Sequence, residues 1–383
     1  MYIVAAKRTP VGGFLGSLSH YSAPKLGAIA IEAAIEQAAI PKTAINEVIL
    51  GNVLSANIGQ SPARQASKFA GIPDEVDATT INKVCSSGLK SVVFAAQSID
   101  ANQFDFVIAG GMESMSNAPF YIENHRKGNK SGNGLLIDGM IKDGLWDPYN
   151  NFHMGSAAEL VNKKYGITRA EQDEYAISSY NKAKAAHESG FFDREIVAVN
   201  GITKDEDIDK LKEEKVPNLK PIFEEDGSIT AANASNLNDG AAALIIASEE
   251  SLKKYNIQPL AKIIAYADAA QAPEWFTTSP ILAIQKVLAK ANLETSDIDF
   301  FEINEAYANV AIINARLGNL DLEKINIHGG GVSIGHPIGA SGARILTTLI
   351  YTLMDKNAKY GIAALCNGGG GSTALLIENT QLK

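Results

Sequence analysis

Gly329-Gly330-Gly331-Val332-Ser333-Ile334-Gly335-His336-Pro337 and, further on, Cys366-Asn367-Gly368-Gly369-Gly370-Gly371 decide how this chain is read. Upstream, Asn82-Lys83-Val84-Cys85-Ser86-Ser87-Gly88-Leu89 completes them. The chain has only two cysteines, and both lie in glycine-bracketed loops. Glycine lets the backbone approach a ligand closely and adopt angles that other residues avoid. Two thiols and an imidazole in such loops point to covalent acyl chemistry, in which a thiolate attacks and a second group moves a proton.

Working outward, these loops punctuate an alternation of strands and helices. Ile3–Ala6, Glu47–Gly51 and Phe106–Gly111 read as buried strands. Pro24 suits the first turn of a helix, and Leu89, Val92, Val93 and Ala96 recur at helical spacing behind Cys85. The last part repeats the plan. Ser279-Pro280 opens a helix, Ile298–Glu302 is a strand, the histidine loop runs into a helix, and Gly361–Leu365 and Ala374–Ile377 are strands. The alternation predicts an α/β fold with a largely parallel sheet under helices, duplicated so that both halves meet at one site. Residues from about 119 to 240 break the pattern, although Thr168-Arg169-Ala170-Glu171 is a capping box that opens a long helix.

A chain of 383 residues suits two or three domains. No apolar run approaches the length of a membrane span. The opening Met1-Tyr2-Ile3-Val4 reads into a strand rather than a targeting leader, so a cytoplasmic protein with reduced thiols is expected. A net charge of −9 argues against nucleic acid as a partner. No Cys/His cluster has transition-metal spacing.

The three loops closely resemble the thiolase family. Asn304-Glu305-Ala306-Tyr307-Ala308, His153-Met154-Gly155, Ala231-Ala232-Asn233-Ala234-Ser235 and Leu237-Asn238-Asp239-Gly240 add further family words, in family order from Ile3 to Leu376. The resemblance implies a duplicated core of two mixed sheets with layered helices. Residues 1–118 and about 241–259 would form the N-terminal core, 119–240 a loop domain over the active site, and 260–383 the C-terminal core. It implies an acyltransferase that condenses two acetyl-CoA to acetoacetyl-CoA and CoA, or runs thiolysis in reverse, as a homodimer or homotetramer without a covalent cofactor. Leu135–Trp146 resembles the family's oligomerisation loop.

Residue by residue, the resemblance implies that Cys85 is the acylated nucleophile, His336 its base and Cys366 the base at the alpha carbon. The N–H groups of Cys85 and Gly368 would form one oxyanion hole; His336 and a water held by Asn304 would form the other. A helix start behind Cys85 is expected to lower its pKa. His153, Met154, Tyr180, Ala231, Ser235 and Tyr307 would line the coenzyme tunnel, with Phe223 and Phe276 walling the acyl pocket. Lys210, Leu211, Lys212 and Lys215 would meet the nucleotide end of CoA. The wording around Ala231 also resembles potassium-activated mitochondrial members, which implies an ion at Tyr180, Ala231, Ala232, Ala234 and Val332. Three other readings stand beside this one: a broader 3-ketoacyl-CoA thiolase, a decarboxylating ketoacyl synthase, and a non-catalytic CoA-binding or thiol-switch protein. The second cysteine and the Gly-His-Pro word oppose the synthase. Cys85, His336, Asn304 and Cys366 together oppose the non-catalytic protein.

Overall fold

The computed structural model describes residues 1–382. The N-terminal half contains β1 (Tyr2–Arg8), β2 (Gly12–Gly13), α1 (Ala23–Ala38), β3 (Glu47–Gly51), α2 (Pro62–Phe69), β4 (Asp77–Ile81), α3 (Ser87–Asp100) and β5 (Phe106–Ser114). A long excursion follows, with β6 (Phe120–Ile122), β7 (Leu136–Asp138), β8 (Trp146–Asp147), β9 (Phe152–His153), α4 (Met154–Tyr165) and α5 (Arg169–Glu188). The chain then returns through β10 (Asn238–Ala247) and α6 (Glu249–Tyr255). The C-terminal half contains β11 (Ala261–Ala270), α7 (Ser279–Ala291), β12 (Phe300–Ile303), α8 (Ala308–Gly318), α9 (Ser341–Asp355), β13 (Tyr360–Asn367) and β14 (Gly371–Asn379).

Local chemistry explains several boundaries. Proline occupies the first turn of α1 and of α7, where its missing N–H costs nothing. Thr168 and Glu171 form the reciprocal capping box of α5. Asn292 ends α7 and Asn319 ends α8, both in the left-handed conformation that asparagine tolerates.

The main sheet runs β12-β13-β14-β11-β1-β10-β5-β3-β4, with β2 beside β10. The two halves meet edge to edge at β1 and β11 through the antiparallel pairs Tyr2–Lys262 and Ile3–Ala261. Outward from that seam, the N-terminal half runs β1, β10, β5, β3, and the C-terminal half runs β11, β14, β13, β12. On each side the successive pairings are antiparallel, antiparallel and parallel. The repeat expected from the sequence is therefore visible in the topology. The expectation of a largely parallel sheet is corrected to a mixed one. Only three residues link β13 to β14, and a parallel connection needs a crossover of a dozen or more. Between the corresponding strands β5 and β10 lies the whole excursion.

Side chains alternate between faces along each strand. Val107, Ala109, Leu244, Ala363 and Leu365 point inward onto Leu89 and Val92 of α3 and Ile345 and Leu349 of α9. Val48, Ile108 and Ile245 point outward beneath α1 and α2, while Ile303, Ile362 and Ala364 lie beneath α7 and α8. The result is five layers, with α3 and α9 packed together in the middle. Each of the two central helices starts directly after a candidate catalytic loop.

Candidate active site

Cys85 lies two residues before α3, on a turn whose preceding residue, Val84, has φ of 49°. That conformation is unfavourable for a β-branched residue and persists only where its surroundings enforce it. Here they do. The Ser87 hydroxyl donates to the Val84 carbonyl at 2.6 Å and accepts from the Lys83 N–H at 2.8 Å. The Lys83 ammonium reaches into the C-terminal half, to Asp268, Thr373 and the Ser372 carbonyl. The Ser86 hydroxyl donates to Asn367 Oδ1 at 2.9 Å, which ties the Cys85 turn to the residue after Cys366.

His336 is held at both ends. Its backbone N–H donates to Asn238 Oδ1 at 2.9 Å. Its Nδ1 lies 2.5 Å from the Ser341 hydroxyl, which itself donates to the Pro337 carbonyl at 2.8 Å. With its hydrogen so committed, the serine oxygen accepts from Nδ1–H. This assigns the tautomer and leaves Nε2 as the free base. Nε2 faces the Asn304 amide nitrogen at 3.5 Å. Asn304 follows the end of β12, and its buried Oδ1 has no partner among the described residues. Cys366 is fully buried near the end of β13.

The electrostatics correct one expectation. Burial pushes the Cys85 thiol up to about 12, against the opposing pull of the Gly368 N–H and its own N–H. The helix start therefore does not make a resting thiolate; desolvation wins. Burial also pushes the Cys366 thiol well up. His336 is pushed down to about 4 by burial, assisted by the Arg344 guanidinium. The resting site is neutral, with a thiol and a free imidazole. Either cysteine, once ionised, would act on the Tyr307 hydroxyl and raise it further, which places the three in one neighbourhood.

Residues 1–250 match the thiolase N-terminal domain and residues 257–379 the thiolase C-terminal domain. Acetyl-CoA acetyltransferase 2 of Arabidopsis thaliana is 52% identical, covering 98% of this chain and 96% of its own length. An acetyl-CoA acetyltransferase of Schizosaccharomyces pombe is 49% identical, covering 99% and 98%. The crystal structure of Acat5 thiolase from Ascaris suum in complex with coenzyme A superposes with a TM-score of 0.96 at 44% identity, covering 99% of both chains.

This chain is a thiolase.

In this thiolase, His336 opens onto a cavity of about 320 Å3 lined by His153, Phe223, Ala231, Ser235 and Tyr307. His153 stacks on Phe223 with ring centroids 4.7 Å apart, and its Nδ1 accepts from the Gly155 N–H. Met154 sits beside Gly368: a Cβ there would lie 3.8 Å from the methionine sulfur. A second cavity of about 230 Å3 shares Ala231 with the first and is lined by Tyr180, Lys210, Leu211, Lys212, Lys215 and Ala232. Together they run from the imidazole to a basic surface. Phe276 does not line the first cavity but is buried in the apolar cluster that also contains Met154, Tyr307 and Cys366, its short helical turn packed against α4 and α7. Lys210 lines the second cavity, and its ammonium pairs with Asp207. Ala234 and Val332 are buried, and Val332 lines neither cavity. Sequence reasoning missed Ser341 as the partner of the imidazole, although it stands only four residues beyond the quoted Pro337. It also missed Met115, Met140, Leu145 and Ile338 as cavity walls, since scattered apolar residues give no pattern.

Proposed function

We propose that this thiolase reversibly condenses two acetyl-CoA into acetoacetyl-CoA and CoA through an acetyl group on Cys85. The observation that carries the reading is the free Nε2 of His336 at the end of a cavity, in the same site as two thiols and two converging N–H groups. As the Cys85 sulfur bonds to the acetyl carbon, its proton passes to His336 Nε2. Transfer coupled to attack suits a thiol and an imidazole that are both neutral at rest. The carbonyl oxygen gathers charge against the N–H groups of Cys85 and Gly368. The CoA–carbon bond breaks, and the departing sulfur takes the Cys366 proton. The Cys366 thiolate then removes an alpha proton from the second acetyl-CoA. Burial, which raises the pKa of this thiol, makes its anion a stronger base for so weak an acid. The second oxyanion faces His336 and a water bound to Asn304 Oδ1. The new carbanion displaces Cys85 from the acetyl carbon, and Cys85 recovers its proton from His336.

Incubation with acetyl-CoA should add an acetyl mass to the Cys85 peptide. Cys366→Ser should still acylate, yet fail to condense and fail to exchange methyl hydrogens with deuterated solvent. Acylation confined to Cys366 would reverse the roles.

The joined cavities suit CoA, with the apolar arm inside and the phosphates near Lys212 and Lys215. Potassium fits the proposed cradle. The carbonyls of Ala231, Ala232, Ala234 and Val332 accept no backbone hydrogen bond among the described residues, and the Tyr180 hydroxyl faces Asn236 near Ala231. Such an ion would order the coenzyme-binding loop. Leu135, Leu136, Phe120 and Ile122 are exposed on and beside the β6–β7 ribbon, which supports a homodimer or homotetramer. The cytoplasmic reading is supported by a relative from Gibberella zeae named as cytosolic. Among the described residues, no helix is long and apolar enough to cross a membrane.

A further inference from the structure

Glu113 is a fully buried carboxylate on β5, the strand that corresponds in the repeat to the one bearing Cys366. Its Oε1 accepts from Asn52 Nδ2 at 2.7 Å and the Leu54 N–H at 3.2 Å. Its Oε2 accepts from the Val53 N–H at 3.0 Å and the Gly339 N–H at 2.9 Å. Four donors face it, so the ionised form is the one that fits; a proton on either oxygen would point at a donor. Gly339 is three residues after His336 and two before Ser341. Val53 and Leu54 belong to the apolar cluster with Met115, Met140 and Ile338, the last three of which wall the cavity.

We propose that Glu113 is a positioning residue for catalysis, its carboxylate fixing the His336 loop and the cavity wall to each other. This rests on the reading of His336 as the base. Three anchors lie next to the imidazole: Asn238 on the His336 N–H, Ser341 on its ring, and Glu113 on Gly339. Only Glu113 also holds the β3 side of the cavity. The charged or titratable groups facing this region are Asp239 from β10, Cys85 ahead of α3, and Arg344 of α9 toward His336. Burial pushes Glu113 up to about 7 despite its donors, so the clamp is exchanged for a protonated, weaker one in mildly acidic solution. The negative charge also helps to hold the Cys85 proton in place until attack.

The test measures thiolysis of acetoacetyl-CoA by native chain, Glu113→Gln and Glu113→Asp from pH 5.5 to 8.5. Glu113→Gln should lower kcat roughly tenfold or more at pH 8, the scale of a misplaced catalytic group, with KM for CoA changed less than about threefold. The ratio of variant to native kcat should rise as pH falls below about 7, because the native clamp is then lost as well; the ratio cancels titration of the substrate. Glu113→Asp keeps the charge but not the reach. It should lower kcat at pH 8, and it serves if the glutamine variant does not fold. Native kcat in either variant, or a glutamine-to-native ratio that stays flat with pH, overturns the proposal. Absence of thiolysis by the native chain would instead remove the function on which it rests.

Discussion

Ser341 holds the His336 ring through a single hydrogen bond, yet that bond selects which nitrogen is the base. Ser341→Ala leaves a buried N–H without its partner, a loss of about 1–3 kcal/mol. If half of that appears in the transition state, kcat falls roughly two- to twelvefold at ~1.4 kcal/mol per decade. KM for CoA should stay near native, because the serine lines neither cavity. Steady-state kinetics of the variant check this. Cys85 gives a second outcome. A thiol pushed up to about 12 has far less thiolate at neutral pH than a free cysteine, whose pKa is about 8.5. Alkylation of the ligand-free protein by iodoacetamide should therefore keep rising with pH past 9, in a Cys366→Ser background. A plateau near pH 7 would mean that the helix start had won after all. The sequence displayed the helix start behind Cys85 but not the apolar walls that bury the sulfur. Those come from Met115, Met140 and Ile338, distant in sequence, and so the sign of the shift was not legible from the motif.

At the scale of elements, the glycines near the ends of two strands explain how the histidine loop gets so close to the sheet. A Cβ on Gly111 of β5 would lie 1.9 Å from the Gly339 carbonyl oxygen, and one on Gly51 of β3 would lie 2.7 Å from it. Backbone stands in the way, so no side-chain rotation relieves the clash. Gly111→Ala should cost about 1–3 kcal/mol or more in urea unfolding and lower kcat together with it. Native stability in that variant would mean that the loop has room to move. These glycines were visible in Phe106–Gly111 and Glu47–Gly51, and so were the strands, because continuous apolar runs identify buried strands. Which strands pair, and in which direction, was not visible. Alternating strand and helix signals suggested parallel neighbours, whereas the chain routes β10 and β14 back beside β5 and β13. Glu113 lies two residues past the run read from the sequence, and only the fold brings it to Gly339.

At the scale of the molecule, a net charge of −9 sets a background that repels anions, so attraction has to be local. Lys212 and Lys215 border the outer cavity and form no ion pair among the described residues, unlike Lys210. Replacing both by Ala should raise KM for CoA roughly two- to thirtyfold at low salt, since exposed pairs each contribute about 0.2–1 kcal/mol. The effect should shrink at high ionic strength, and Lys210→Ala alone should do less. Equal effects at all salt concentrations would place the phosphates elsewhere. The excursion between β5 and β10 also sets an order of assembly. Closing a chain segment costs about 0.6 kcal/mol per doubling of its length, and the excursion exceeds the Gly368–Gly370 turn by roughly five doublings, on the order of 3 kcal/mol. The β13–β14 hairpin can pair locally, while β5 must wait for β10 to return from far along the chain. In pulsed hydrogen exchange during refolding, amides of β13 and β14 should gain protection before those of β5 and β10. The arm bearing Cys366 would then be built early, and the platform that receives Cys85 and His336 would close last, so the unfinished chain carries a base before it carries a nucleophile.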